Sequence, residues 1–429
     1  MFKQRLVLFV MAVATVALTA CGGGDSDGTL NAKLRVLHAS PDAPNVDILV
    51  RGVAVATNVP YKAATSYRDV AAGDVDIRVN VTGTQTAAIA ATPFLAADKS
   101  YTLIAANKVA SIEPLLIEDV TTAVPAGNAR LRVVHGAPSA PAVDVYVTAP
   151  AASIDTASPT LTNVAFKGVS GALPVPAGDY RIRVTATGSR TPVYDSGTVA
   201  LAAGQDLLAV AVDQGSGASP ISLVALPATG GVLELKDIRA TVRVVHASPD
   251  APAVDILVDN AVALGNVPYP TVSSYLEVPA ATYNLKVNAA GTATTVINAD
   301  VPFEPSATYT VLATGFLANI APLVVTDDLT LPVANRSKLR VIHASPDAPN
   351  VDVFVGGNRV LANVPFRAAS EYLIVPSGGY GVEVRVAGTS TVVLAANVTL
   401  ESRKIYTALA IGTVASGPNP LQLKVVTDR

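Results

Sequence analysis

LRVLHASPDAPNVDILV, residues 34–50 of this 429-residue chain, returns three more times in closely similar form. The other copies are LRVVHGAPSAPAVDVYV (131–147), VRVVHASPDAPAVDILV (242–258) and LRVIHASPDAPNVDVFV (339–355). The shared pattern is Arg-x-x-His-x(8)-Asp around a proline-containing loop, and it contains all four histidines of the chain. Because a recurring segment is the signature of a repeat architecture, the sequence predicts four copies of one module.

The composition permits four cores and disfavours one class of partner. Half of the residues are hydrophobic, Trp is absent, and the formal net charge is −3. The sequence contains no run of Lys and Arg and no basic face with interleaved aromatics, so we expect no nucleic-acid partner. The single cysteine, Cys21, leaves no partner for a disulfide, so each module must be stabilised by packing.

The N-terminal segment predicts export and lipidation. Lys3 and Arg5 precede an apolar run, Leu6 to Leu18, which is too short for a comfortable membrane span. Leu18-Thr19-Ala20-Cys21 resembles a bacterial lipobox, with Cys21 at the lipidation position. We therefore expect a lipid anchor in the cell envelope, most simply the outer membrane, facing the periplasm or the cell surface.

The rest of the chain predicts β-structure. Short runs rich in Val, Ile, Thr and Tyr alternate in polarity with period two, and turn residues separate them. Landmarks recur after each motif, including Asn-Val-Pro-Tyr or Asn-Val-Pro-Phe at 58–61, 266–269 and 363–366, with Asn-Val-Ala-Phe at 163–166. We predict an all-β chain of four tandem antiparallel β-sandwich modules, immunoglobulin- or prealbumin-like, with seven or eight strands each, after a lipoprotein signal peptide.

The predicted domain bounds follow joins rich in Pro, Gly and Ala. They are a signal peptide at 1–20, the lipidated cysteine and a flexible tether at 21–32, and modules at 33–121, 129–227, 240–328 and 337–428. Two joins are short, so neighbouring modules should touch. The longer join at 227–240 contains Gly230-Gly231, which predicts a hinge between two module pairs.

The repeated motif is the one polar constellation that could carry chemistry. Its candidate residues are Arg35, His38, Asp47, Arg132, His135, Asp144, Arg243, His246, Asp255, Arg340, His343 and Asp352. Strand alternation puts Leu34, Val36 and His38 on one face and Arg35 with Leu37 on the other. We expect a structural role, in which Arg35 pairs with Asp47 across neighbouring strands and His38 bonds the loop backbone.

Two features of the motif extend this interpretation. Ser40 and Asp42 are expected to bond nearby backbone amides within the loop. Leu37, and Leu49 with its counterparts Tyr146 and Phe354, put apolar side chains on the outward face, so a neighbouring module is expected to cover them.

Catalytic and metal-binding interpretations are weaker. Ser40, His38 and Asp47 could form a hydrolytic triad, but Ala137 takes the serine position in the second module, and no Gly-x-Ser-x-Gly elbow is present. His38, Asp42 and Asp47 could hold a divalent ion, yet that set is short of ligands. Sugar binding lacks its usual Trp platforms. We expect no enzyme activity, no metal and no cofactor.

The run His-Ala-Ser-Pro-Asp-Ala-Pro followed by Val-Asp resembles the opening of domain-of-unknown-function family 4397. The resemblance extends from about residue 33 to 427, and the second module departs from it at Gly136, Ala137 and Ser139. It implies a tandem β-sandwich lipoprotein of the bacterial envelope and brings no catalytic residues. We expect a non-enzymatic scaffold, spacer or adhesion array with an envelope or extracellular partner. The alternative is a lipoprotein that binds peptide, glycan or metal at the loops of Pro41 and Pro249.

Overall fold

The computed structural model describes residues 30–215, 217–415 and 417–429. The predicted signal peptide, Cys21 and most of the predicted tether lie outside the described residues. The described part is all-β, with two short 3-10 helices at Val109–Ser111 and Leu317–Asn319. None of the described helices has the length and apolar character needed to cross a membrane.

The strands fall into four consecutive groups, one for each motif copy. The first module contains β1 (Asn31–His38), β2 (Val46–Val50), β3 (Val53–Val59), β4 (Arg68–Ala71), β5 (Gly73–Asp74), β6 (Ile77–Val81), β7 (Ala87–Ala91), β8 (Phe94–Leu95), β9 (Ser100–Ala106) and β10 (Glu113–Glu118). The second contains β11 (Asn128–His135), β12 (Val143–Thr148), β13 (Leu161–Val164), β14 (Leu173–Pro176), β15 (Gly178–Ala186), β16 (Pro192–Leu201), β17 (Asp206–Asp213), β18 (Ile221–Pro227) and β19 (Leu233–Leu235).

The last two groups have eight strands each, within the predicted number, whereas the first two have ten and nine and exceed it. The third module contains β20 (Arg239–Ala247), β21 (Val254–Val258), β22 (Ala261–Val267), β23 (Leu276–Pro279), β24 (Thr282–Ala289), β25 (Thr295–Pro302), β26 (Thr308–Thr314) and β27 (Ala321–Thr326). The fourth contains β28 (Arg336–His343), β29 (Val351–Val355), β30 (Asn358–Val364), β31 (Leu373–Pro376), β32 (Gly378–Val386), β33 (Val392–Leu400), β34 (Ile405–Ile411) and β35 (Gln422–Thr427).

Each module is a sandwich of two sheets, as predicted, and the first module has an additional two-stranded sheet of β5 and β8. The sheet that contains the first motif strand, here called the front sheet, has the order β10-β9-β1-β4 in the first module. The sheet that contains the second motif strand, here called the back sheet, has the order β3-β2-β6-β7. The same two orders recur in the other modules, with β19 added to the front sheet of the second. One pairing differs from the predicted antiparallel pattern, because β1 runs parallel to β9 and its three counterparts do the same.

The core of each module lies between its two sheets, where period-two alternation directs apolar side chains. In the first module Leu34 and Val36 of β1 pack against Val46, Ile48 and Val50 of β2. Period-two alternation places Leu34 and Val36 on one face of β1, and Val46, Ile48 and Val50 on one face of β2. The prediction of the inward faces is confirmed.

The outer faces of the front sheets are also apolar, and they join the modules in pairs. Leu37 and Ile104 of the first module form one buried cluster with Val134 and Val210 of the second. In the other pair the cluster is formed by Val245, Leu312, Ile342 and Leu409. Because equivalent residues from both modules meet, each interface resembles a two-fold contact between identical surfaces. The neighbouring module covers Leu37, as predicted.

The outward residue of the second motif strand is not part of the apolar clusters between paired modules. Leu49 and Phe354 lie on the back sheets, whereas the paired apolar clusters are formed by the front sheets. Phe354 is covered instead by Arg385 of its own module, whose guanidinium carbon lies 4.0 Å from the ring centroid.

The join at 227–240, where the sequence predicts a hinge, is ordered structure and contains a short strand. Its residues Leu233–Leu235 form β19, which pairs with β18 and extends the front sheet of the second module beyond the predicted end at 227. The buried carboxylate of Asp237 accepts a hydrogen bond from the backbone N–H of Asp195 at 2.9 Å. Gly230 and Gly231 have positive φ and make the tight turn between β18 and β19.

The two module pairs also touch at their ends. Arg403 of the fourth module lies 2.8 Å from Asp42 of the first. Arg429 donates to the backbone carbonyl of Gly215 at 2.6 Å. The first contact joins the fourth module to the first and the second joins it to the second, so the four sandwiches form a block of two pairs rather than a string.

Candidate functional site

Each motif histidine is buried and fixes the proline loop that follows it. The Nε2 atom of His38 lies 3.1 Å from the carbonyl oxygen of Pro44, and the backbone N–H of Ser40 points to Nδ1 at 3.4 Å. The same contacts to a proline carbonyl and to a backbone N–H recur at His135, His246 and His343. The predicted bond between the histidine and the loop backbone is confirmed.

These partners determine the protonation state of the ring. A carbonyl can only accept, so Nε2–H donates to Pro44, and Nδ1 must carry the lone pair that faces Ser40. Burial lowers the pKa of His38, His246 and His343, while the bond to the proline carbonyl opposes that shift. His38, His246 and His343 are therefore neutral, and in all four histidines both ring nitrogens are engaged with backbone groups.

The motif aspartate ties two turns of the back sheet together. Asp47 accepts hydrogen bonds from the backbone N–H of Asn58 at 2.8 Å and of Gly83 at 3.1 Å. Asp144, Asp255 and Asp352 accept the same pair of bonds in their modules. These backbone N–H groups lower the pKa of Asp47, Asp255 and Asp352, because they stabilise the charged form.

The predicted pairing of the motif arginine with the motif aspartate is wrong. The two residues lie on different sheets, because the proline loop crosses from the front sheet to the back sheet instead of forming a hairpin within one sheet. Arg35 donates from Nε to the Thr102 hydroxyl at 2.8 Å and stacks on the Tyr67 ring at 4.6 Å. Its nearest carboxylate is Asp119, at 3.8 Å.

Between the third and fourth modules, the motif arginines cross-link the pair. Arg243 lies 2.7 Å from Asp428 of the fourth module, and Arg340 lies 2.6 Å from Asp327 of the third. All four side chains are at most 3% exposed. Two buried cations thus face two buried carboxylates across the interface, and their charges balance.

Hydroxyl groups complete this arrangement from within each module. Tyr275 donates to Asp327 at 2.6 Å, and Tyr372 donates to Asp428 at 2.9 Å. Thr310 and Thr407 donate to the same two carboxylates. The arrangement is a structural joint between modules.

Comparisons with known proteins show the family of this chain. The family model described as "Domain of unknown function (DUF4397)" matches residues 32–146, 149–231, 240–354 and 337–429. The chain belongs to the DUF4397 family. None of the curated proteins compared with it gives a match. Among solved structures, the Bacillus anthracis TIE protein is similar at 9% identity and a TM-score of 0.16, over 88% of this chain and 67% of the other.

The hydrolytic interpretation finds no supporting geometry in the DUF4397 motif. Ser40 meets His38 through its backbone N–H, and Nε2 is held by the Pro44 carbonyl. Asp47 faces the turns at Asn58 and Gly83, away from the histidine. The three side chains of the supposed triad therefore do not converge.

The three residues of the metal interpretation, His38, Asp42 and Asp47, each have other partners. The Asp42 carboxylate accepts the backbone N–H of Val109 at 2.7 Å and pairs with Arg403. The partner is thus a loop 67 residues away and not the nearby amides that the sequence predicted. In the part of the chain that the structure describes, no three His, Cys, Asp or Glu side chains are grouped so that they could hold a metal ion.

The DUF4397 modules also contain an aromatic contact that sequence reasoning missed. The ring of Tyr61 packs edge-on against His38 with centroids 6.0 Å apart, and Phe166, Tyr269 and Phe366 pack in the same way on the other three histidines. The recurring Asn-Val-Pro landmark was the available signal. Its asparagine has positive φ in every copy, and the turn brings the aromatic ring over the histidine.

Proposed function

We propose that this DUF4397 chain is a non-enzymatic, lipid-anchored envelope protein whose four modules form a scaffold or interaction array. One observation carries the proposal. The charged and imidazole groups of the repeated motif are engaged in holding loops, turns and module pairs together. A side chain whose polar atoms are satisfied by buried backbone partners is a structural element rather than a reactive one.

The protonation of the histidines supports the non-enzymatic part of the proposal. A general base needs a free ring nitrogen within reach of a substrate proton. In His246 the Nε2 atom lies 3.0 Å from the Pro252 carbonyl, and Nδ1 receives the Ser248 N–H at 3.4 Å. Tyr269 then covers the edge of the ring.

The module arrangement supports a compact array more than an extended spacer. Each pair buries a continuous apolar cluster, and Asp42 with Arg403 links the first module to the fourth. Interaction surfaces would then be presented in fixed relative positions. We propose an envelope protein or an extracellular molecule as the partner.

The anchor part of the proposal rests on the sequence around Cys21. A chain acylated at Cys21 would be held stably, since lipid burial contributes about 0.8 kcal/mol per CH₂. Gly22, and not Asp, follows the cysteine, which suits an outer-membrane position facing the periplasm or the cell surface. Metabolic labelling with a palmitate analogue should mark the wild-type protein in the membrane fraction and fail to mark Cys21→Ala. Equal labelling of both would contradict the anchor.

The structural role of the motif is tested in the full mature chain. We expect His246→Gln to lower the unfolding temperature and to leave in-cell cross-links to envelope partners unchanged at a temperature below the melt. A conservative control is Thr292→Ser, in an exposed turn of the same module. If His246→Gln left the melt unchanged but abolished a cross-link or a turnover, the motif would be a functional site and the proposal would be wrong.

A second candidate function is ligand binding beside the loop of Pro41. One observation favours it, a cavity of about 330 Å³ bordered by Pro41, Tyr61 and Arg429 at the junction of the two pairs. The ion pair between Asp42 and Arg403 forms part of its wall. Binding of a peptide or glycan there should be lost on Tyr61→Ala and kept on Tyr269→Ala, which changes the equivalent residue of the third module.

A further inference from the structure

The two module pairs differ in their buried charges. In the pair of the third and fourth modules, each motif arginine meets a carboxylate of the other module at 2.7 Å or less. In the second module, Ala228 takes the position of these carboxylates. The strand register shows this, because the residue before Ala228, Pro227, pairs with Leu207. The residues before Asp327 and Asp428 make the equivalent pairings, Thr326 with Tyr309 and Thr427 with Tyr406. The second module therefore lacks the carboxylate that would meet Arg35.

The other members of the joint are also missing from the second module. Leu208 lies opposite Arg132 in the register where Thr102 lies opposite Arg35. Leu131 pairs with Leu173 as Leu34 pairs with Arg68. The residue before Leu173, Ala172, therefore takes the place of Tyr67. All of the groups absent from the second module are polar, and their replacements are aliphatic, with Ala228 and Ala172 also smaller than the aspartate and tyrosine of the other modules. Space and apolar surface appear where the other pair has a polar network.

The motif arginines of the first and second modules have weaker hydrogen-bond partners than those of the third and fourth. Arg35 is 3% exposed and donates from Nη1 to the Pro227 carbonyl at 2.8 Å. Arg132 donates from Nη1 to the Glu118 carbonyl at 2.9 Å. The one carboxylate close to Arg35 within the described residues is Asp119, at 3.8 Å. A carbonyl dipole compensates a buried guanidinium less than a carboxylate does.

These arginines border a cavity of about 390 Å³ that lies between the two modules. Its charged lining residues are the four cations Lys33, Arg35, Arg130 and Arg132 and the two carboxylates Asp119 and Asp206. Arg130 and Asp206 neutralise each other in a bidentate pair at 2.5 and 3.0 Å. Lys33 pairs with Asp69 at 2.9 Å. Of the charged lining residues, Arg35, Arg132 and Asp119 then remain, so the cavity has one net positive charge.

The remaining wall suits a short apolar group. Leu207, Leu208 and Leu226 line the cavity beside Ala228. A volume of a few hundred cubic ångströms is the size of a small-molecule site, and guanidinium groups bind carboxylates through paired N–H···O bonds. The cavity therefore combines a carboxylate receptor with an aliphatic surface.

We propose that the cavity between the first and second modules binds a short-chain aliphatic carboxylic acid, whose carboxylate takes the position that Asp428 holds in the other pair. Arg35 and Arg132 bind the carboxylate, and the leucines contact the chain. This site is separate from the motif loops and does not depend on the scaffold proposal.

The test uses the full mature chain and sodium butyrate as the probe, with isothermal titration calorimetry at constant ionic strength. Butyramide is the neutral control, and inorganic phosphate is the control for unspecific anion binding. We expect saturable binding of butyrate, with at least tenfold weaker binding of the two controls. Equal binding of butyrate and butyramide, equal binding of phosphate, or no binding of butyrate would overturn the proposal.

Two variants locate the binding. Ala228→Asp supplies the missing carboxylate, so it should weaken butyrate binding at least tenfold without lowering the unfolding temperature. Arg132→Gln removes half of the receptor from a partly exposed position, and it should weaken binding even if Ala228→Asp does not fold. Lys99→Gln, an exposed cation outside the cavity, is the matched control and should bind butyrate as the wild type does. Wild-type affinity in Arg132→Gln would overturn the assignment.

Discussion

The apolar cluster between the third and fourth modules allows a quantitative prediction for the truncation of Leu312. Leu312 is fully buried, yet its side chain lies in the cluster between the modules, with Val245, Ile342 and Leu409, and not in the core of its own sandwich. Truncating a buried leucine to alanine removes its transfer free energy and leaves a cavity, which together cost about 3–5 kcal/mol. We expect Leu312→Ala to destabilise the pair by that amount, a fall in unfolding temperature of roughly 6–20 °C.

The assay is thermal and urea unfolding of the mature chain followed by far-ultraviolet circular dichroism. Val262→Ala is the control, because Val262 is 61% exposed and its truncation should change the free energy of unfolding by less than about 1 kcal/mol. If the modules were only tethered, Leu312 would be solvated and both variants would behave alike. Equal midpoints for Leu312→Ala and Val262→Ala would therefore refute the paired arrangement.

Three further predictions concern the motif. Burial lowers the pKa of His246 in the folded chain, so the unfolded chain binds more protons as the pH falls. The contribution of His246 to the free energy of unfolding is therefore complete above about pH 6.5. Below that pH it declines by at most about 1.4 kcal/mol per pH unit. Urea midpoints measured across this range should show a shallower acid decline in His246→Gln. Asp255→Ala should lower the urea midpoint, because it leaves two turn amides without their charged acceptor, and an unchanged midpoint would contradict that role. Asp428→Ala leaves Arg243 buried without its carboxylate and should lower the free energy of unfolding by about 3–5 kcal/mol. The control is Asp69→Ala in an exposed ion pair, which should lower it by less than about 1 kcal/mol. Similar losses in the two variants would contradict a stabilising role for the buried ion pair.

The inward faces were predictable because strand alternation is a local property. Leu34, Val36 and His38 share one face whatever the strands pair with, so the sequence alone assigns them to the core. The position of Leu37 was predictable for the same reason, since an apolar residue on the outer face needs a cover. The cover in fact comes from the identical face of the next module.

The partner of the motif arginine was not predictable from the motif. A proline loop of this length can form a hairpin within one sheet or cross between two sheets, and only the second arrangement separates Arg35 from Asp47. Its actual carboxylate, Asp119, lies at the end of the last strand, far along the chain. A signal did exist, because an aspartate closes the first, third and fourth modules, as Asp119, Asp327 and Asp428, and is absent from the second.

The motif therefore has two structural roles, and the second module keeps only one of them in full. Its histidine and aspartate act within one sandwich, and His135 and Asp144 keep the same contacts there as their counterparts do elsewhere. Its arginine acts between sandwiches. In the second module Leu208 stands opposite Arg132 where the other modules have a threonine, and Ala228 gives Arg35 no carboxylate from across the interface. A module that needed the arginine for its own fold could not tolerate these losses. The arginine thus belongs to the joint, and a joint that lacks one carboxylate is where an external carboxylate can bind.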